Sequence, residues 1–205
     1  MDTTTPRKLQ LDDIADLRAY ERERDDFRTH VIALKKKRRV SVGPVATLLF
    51  ENRDTIRFQI QEMARAEKLL TDEAIQLELD VYNPLIPEPG HLCATLFLEL
   101  TSDEQLREWL PKLVGIETAV QIVLGDGTAA ADVVRCEVDP DHAQQLTRDE
   151  ITASVHYVTF SFTPEQVERF TASGGRLGFD HPNYAFATEL GPDTVAELTT
   201  DLRGV

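Results

Sequence analysis

The chain has 205 residues, and its 22 Lys and Arg stand against 36 Asp and Glu, a net charge of −14 with histidine neutral. At 41% hydrophobic residues the composition is that of a folding chain, not of a disordered one. A chain of this size hides roughly 70% of its unfolded surface, so neither disulfides nor a metal is needed merely to hold a core, and the surplus of carboxylates repels phosphate backbones, which argues against general nucleic-acid binding.

Met1-Asp-Thr-Thr-Thr-Pro6 lacks the cationic stretch and apolar core of a secretory signal, and the chain lacks a long apolar run that would span a membrane. The expectation is a cytoplasmic protein with no membrane segment. Cys93 and Cys136 are far apart, form no CxxC and have no local metal-binding partner, so both are expected to be reduced thiols packed in the core.

Leu11, Ile14 and Leu17 have helical spacing over a short acidic segment, and Phe27, Val31 and Leu34 repeat at i, i+4 and i+7 in a second helix that runs out into Lys35-Lys-Lys-Arg-Arg39. Cations favour the negative end of a helix, so this run reads as a solvated helix terminus, with an anion-binding patch as the alternative. Val40 to Phe50 reads as two strands turned by Gly43-Pro44. Asn52 caps a helix expected from Arg53 to Leu70, and Thr71 or Asp72 caps the next, which carries Ile75, Leu79 and Tyr82 on one face and ends at Asn83-Pro84.

From Leu92 to Leu100 the alternation predicts a strand, and Ser102 to Gln105 has capping-box spacing before the stripe of Leu106, Leu110 and Leu113. Strands follow over Thr118 to Leu124 and Asp132 to Val138, linked through Gly125-Asp-Gly127, and over Ser154 to Phe162. Thr163-Pro-Glu-Gln166 then caps a short helix to Phe170. Gly174-Gly175 leads into Arg176 to Asp180, Tyr184 to Glu189 reads as a further strand, and a last helix begins near Pro192. This order predicts an α+β fold: N-terminal helices followed by a largely antiparallel sheet with interspersed helices. Residues 1–205 are expected to form a single domain, with a helical part (1–90) packed on a sheet-rich part (91–205).

Lys35 to Val40, Leu49-Phe-Glu-Asn-Arg-Asp-Thr55, Gln59-Ile-Gln-Glu-Met63, Tyr82-Asn83, Ala94-Thr-Leu-Phe97, Ser154-Val-His-Tyr157 and Asp180-His-Pro-Asn-Tyr184 together resemble a bacterial family known as domain of unknown function 3501. The resemblance spans nearly the whole chain. It implies a redox or peroxide-stress context, with a rubrerythrin-like protein or an iron-sulfur oxidoreductase as partner. It transfers no catalytic residue.

Counting by twos, His156 shares the apolar face of Val158, Phe160 and Phe162, and His181 shares that of Leu177 and Phe179. Two inward imidazoles either bond backbone groups or meet at a shared site. On the long helix Glu67 falls inside the stripe of Ile56, Ile60, Met63 and Leu70, and Glu78 flanks the next stripe. These carboxylates either answer cations such as Arg53 and Arg57 or join the histidines around a metal. His156, His181, Glu67 and Glu78 are thus the candidate ligands for iron or another transition metal, and Arg53, Asn183 and Tyr184 are candidate binding residues, the last two on a Pro-stiffened turn. No His lies three residues after a helical Glu, and His-Glu-x-x-His, Gly-x-Ser-x-Gly and phosphate-loop motifs are absent, so the sequence does not decide whether the protein turns over a substrate. The competing reading is an accessory module for a redox partner, without a metal.

Overall fold

A computed structural model describes residues 7–125, 132–138 and 151–205; Asp126 and Gly127 of the link named above lie outside the described residues. The chain divides into two compact units, one built from Met1–Lys36 and Glu51–Pro87, the other from Lys37–Phe50 and Glu88–Val205. In this division the first hairpin of the chain belongs to the sheet-bearing unit.

The first unit is helical. Gln10 and Asp13 bracket a 3-10 turn over Leu11–Asp13, and the Asp16 carboxylate accepts from the Ala19 amide at 2.8 Å. That cap starts α1 (Leu17–Arg38) later than the apolar spacing suggested, because the acidic segment satisfies its own amides locally. Asn52 accepts from Thr55 N at 3.0 Å and Thr55 Oγ1 accepts from Asn52 N at 2.9 Å, a reciprocal cap that opens α2 (Arg53–Glu67). The helix stops three residues short of the expected Leu70: Lys68 adopts φ +56°, and the Leu69 amide turns back to Ala64 O at 3.0 Å. Thr71 then caps α3 (Asp72–Tyr82). Tyr20, Ile56, Ile60 and Leu79 are fully buried. Two long-range joints fix the helices: Gln61 exchanges hydrogen bonds with both backbone groups of Ala15, and Glu62 receives Tyr20 Oη at 2.8 Å and the Arg24 fork at 2.8 and 2.9 Å. The guanidinium holds the Glu62 carboxyl below its usual range, against the cost of burial.

The second unit is a curled sheet of eight strands, each pair antiparallel, in the order β1-β2-β3-β6-β5-β4-β7-β8. The strands are β1 (Arg39–Val42), β2 (Ala46–Phe50), β3 (His91–Leu98), β4 (Val120–Leu124), β5 (Val133–Glu137), β6 (Val155–Ser161), β7 (Gly175–Phe179) and β8 (Ala187–Glu189). Its edges approach each other, with Thr188 Oγ1 on β8 donating to Ser41 O on β1 at 3.1 Å. Edge approach of this kind limits the unpaired backbone that an open sheet leaves exposed. One apolar cluster joins Leu48, Leu96, Phe160, Ile122 and Leu177 from the strands to Phe170 of α5 (Pro164–Ser173) and Leu198 of α6 (Pro192–Arg203); α4 (Asp103–Lys112) contributes Trp109 and Leu110. The Thr163 capping box and Pro164 at the first helical position start α5 as the sequence indicates.

The reading of Lys35 to Arg39 as a solvated run fails at one residue. Arg38 is 1% exposed; its Nη1 and Nη2 donate to Asp201 of α6 at 2.7 and 3.0 Å, and its Nε lies 3.6 Å from Glu197. Lys37 meets Glu197 at 3.0 Å but is half exposed, and Lys36 faces solvent. Removing one member of a buried, hydrogen-bonded ion pair costs about 3–5 kcal/mol, because the other charge is stranded. Arg38→Ala is therefore expected to lower stability by about that amount in urea unfolding, whereas Lys36→Gln with Lys37→Gln is expected to cost no more than about 1 kcal/mol. Equal effects would refute the distinction.

Candidate functional site

The chemistry-bearing residues of the sheet unit gather in two places. The first is the corner His181-Pro-Asn-Tyr184 between β7 and β8. His181 Nε2 donates to Val114 O at 3.1 Å while its Nδ1 accepts from Asn183 N at 3.2 Å, so both nitrogens of the neutral ring are engaged. Asn183 Nδ2 donates to Lys112 O at 2.8 Å. Together they bond carbonyls at and just beyond the end of α4, which a helix terminus otherwise leaves unmatched. Tyr184 is 1% exposed, and its hydroxyl accepts from Val45 N at 3.1 Å and Ala46 N at 3.0 Å and donates to Val42 O at 2.6 Å. Its ring stands edge-on to Trp109 and Phe179. Burial pushes the phenol above its ordinary range, outweighing the two amides. The β1–β2 turn beneath it needs Gly43, where φ is +70° and a Cβ would lie 2.6 Å from Phe186 Cγ and 2.7 Å from the Tyr184 hydroxyl.

The second place surrounds His156 on β6. The ring is 1% exposed; its Nε2 lies 2.9 Å from Ala153 O and 2.9 Å from Thr152 Oγ1. Donation to the Ala153 carbonyl puts the proton on Nε2. Glu117, buried in the 3-10 turn Ile116–Thr118, is the charge that both His156 and Cys136 sense. Cys136 Sγ donates to Glu117 O at 3.0 Å, and burial, reinforced by that carboxylate, pushes the thiol up to about 11. It is a protonated thiol at neutral pH, and so not an activated nucleophile. Cys93 is buried on β3, and neither Cys93 nor Cys136 is in a disulfide.

The inward placement of both histidines matches the strand alternation. The inward placement of Glu67 is corrected: it is exposed, since α2 ends there and the left-handed Lys68 turns the chain away before the stripe can continue. Glu78 is half-buried on α3, and its carboxyl is pushed up by burial and by the nearby Glu67 charge. Arg53 binds Asp13 at 2.6 Å, a joint within the helical unit. Among the described residues no three His, Cys, Asp or Glu side chains are grouped so as to hold a metal ion. Both histidines carry bonds to backbone carbonyls.

Sequence reasoning missed Arg38, Glu117 and the Tyr20–Arg24–Glu62 cluster. Only the position of Glu117, just ahead of an apolar strand, hinted at burial.

These features define an α+β protein whose curled antiparallel sheet is held by buried polar joints. The chain belongs to the DUF3501 family of proteins of unknown function, whose family profile matches residues 8–202. It is also similar to a protein of unknown function from Burkholderia pseudomallei known from its crystal structure, with 40% identity and a TM-score of 0.83 over 95% of this chain and 99% of that one. No curated protein matches. Among the described residues no helix is long and apolar enough to cross a membrane.

Two outcomes follow from this geometry. Tyr184→Phe keeps the ring but strands two amides and a carbonyl, and is expected to cost about 2–4 kcal/mol in urea unfolding; a change under about 0.5 kcal/mol would show that the hydroxyl is dispensable. For His156, burial disfavours the imidazolium and lowers its pKa below the ordinary 6.5, although Glu117 and the Ala153 carbonyl oppose this. The unfolded chain then binds the extra proton, so this contribution to stability is intact above about pH 6.5 and falls as the pH drops below it, by at most about 1.4 kcal/mol per pH unit. The decline measured between pH 7.5 and 5 is expected to be shallower in His156→Gln; an identical slope would refute the assignment.

Proposed function

We propose that the chain is a cytoplasmic accessory module that binds a redox partner, and that its own polar interior serves the fold. The observation that carries this reading is the state of the interior donors: His181, His156, Tyr184 and Arg38 are all bonded to backbone groups or to carboxylates of the sheet unit. Cys136 is a protonated, hydrogen-bonded thiol. The outer surface carries the chemistry that remains, a charge of −14 suited to steering a basic partner. The redox context rests on the family resemblance, which implies a rubrerythrin-like protein or an iron-sulfur oxidoreductase.

The test pairs metal analysis with titration calorimetry. Full-length protein grown with added iron and zinc is expected to carry well under one equivalent of any transition metal. It is expected to bind one of those two proteins from the same organism with a Kd in the micromolar range or tighter, weakening between low and high salt. Stoichiometric metal that His156→Ala and His181→Ala remove would overturn the reading, as would failure to bind either protein.

A further inference from the structure

In α3 the residues on the core side are Ile75, Leu79 and Tyr82, and Leu79 is fully buried. The opposite side is not polar, as an ordinary surface helix would make it. Leu77 is 67% exposed and Val81 51%, and Leu70, just before the cap, is 79% exposed. Within the helix Ala74, Leu77 and Val81 are spaced three and four residues apart, the repeat of a helix that offers an apolar seam to another helix, and Leu70 stands just ahead of its Thr71 cap. At about 100° per residue, Glu73 and Asp80 flank this seam on one side and Glu78 on the other.

We infer that this face of α3 docks a basic amphipathic helix of a partner protein, with apolar residues on the seam and Lys or Arg along both flanks. The inference rests on the accessory reading and assigns it a surface. Two physical facts select this occupant. First, α3 holds Asp72, Glu73, Glu78 and Asp80 and no basic residue, and among the described residues no ion pair reaches any of the four. Two of them lie in the C-terminal half, where the helix dipole disfavours negative charge, so a cation arriving there is favoured twice. Second, the flanks are uniformly acidic, so a second copy of this chain would set like charges against each other across the seam. An exposed apolar ridge with a charged rim is the usual signature of a protein-binding face, and helix-on-helix docking reads such a ridge through anchors at this spacing. The unfavourable charge that Glu78 shares with Glu67 is relieved by the same cations.

The probe is a synthetic peptide of about three heptads with Leu on the seam and Lys on both flanks, with a Glu-flanked peptide as its control. Fluorescence anisotropy with the full chain is expected to show binding of the Lys-flanked peptide only. Leu77→Gln with Val81→Gln is expected to weaken it at least about tenfold, a loss of about 1.4 kcal/mol, with the melting temperature unchanged because both side chains are exposed. Glu73→Lys with Asp80→Lys is expected to shift preference toward the Glu-flanked peptide. Binding that ignores the seam substitutions would overturn the inference in favour of diffuse attraction to an acidic surface. A dimer in sedimentation velocity that the seam substitutions dissolve would overturn it in favour of self-association. If the redox partner still binds the seam variant, the surface is wrong and the accessory reading stands; if the peptide binds through the seam and neither redox protein binds, the reverse holds.

Discussion

The sheet unit depends on the match between one hydroxyl and three backbone groups. A tight turn between β1 and β2 leaves the amides of Val45 and Ala46 and the carbonyl of Val42 without ladder partners, and buried groups of this kind must be satisfied. A phenol offers one donor and two acceptor sites, which is the complement required. Tyr184 delivers it from 138 to 142 residues away in sequence. Because Tyr184 sits in the same corner as His181 and Asn183, a four-residue stretch joins the β1–β2 turn, the end of α4 and the start of the closing strands. Gly43 is part of this arrangement, as its missing Cβ is the space that Tyr184 and Phe186 occupy.

Arg38 solves a related problem with charge. A helix terminus presents unmatched carbonyls and negative potential, and a guanidinium favours both. Arg38 Nη1 also lies 3.4 Å from Phe50 O, while its fork takes the Asp201 carboxylate. The neighbouring lysines have the same formal charge and none of this geometry. A point ammonium on a flexible stem retains its hydration at the surface, whereas a planar fork is fixed by a carboxylate of matching shape. The fifth of five similar residues in the run, Arg39, instead pairs with Glu99 at the surface.

What was legible in the sequence was periodic or local. Alternation placed His156 and His181 inward, because a strand has only two faces and a slip of one residue inverts both. Caps at Asn52, Thr71, Ser102 and Thr163 were legible because the cap side chain and the amide that donates to it lie within three residues. Glu67 was misplaced for a local reason that leaves no sequence mark: Lys68 takes a left-handed conformation usually reserved for glycine or asparagine, so the helical wheel was extended past the true end of α2. Arg38 and Tyr184 were illegible as joints because their partners lie between 138 and 163 residues away. Periodicity states which way a side chain points and not what it meets.

That distinction also separates the two readings of function. Inward histidines and a nearby carboxylate are necessary for a metal site, but ligands need lone pairs aimed at a common point. In His181 the nitrogen that could offer a lone pair accepts an amide hydrogen, and in His156 the protonated nitrogen faces a carbonyl. Polar groups so engaged rigidify a core, and rebuilding them as ligands would unmatch the backbone they now satisfy. The carboxylates of α3 are in the opposite condition. Among the described residues they make no ion pair, and they are set beside exposed leucine and valine, so a cationic partner would gain from them without breaking one. The accessory function we propose rests on that contrast between a bonded interior and an acidic, partly apolar helix surface.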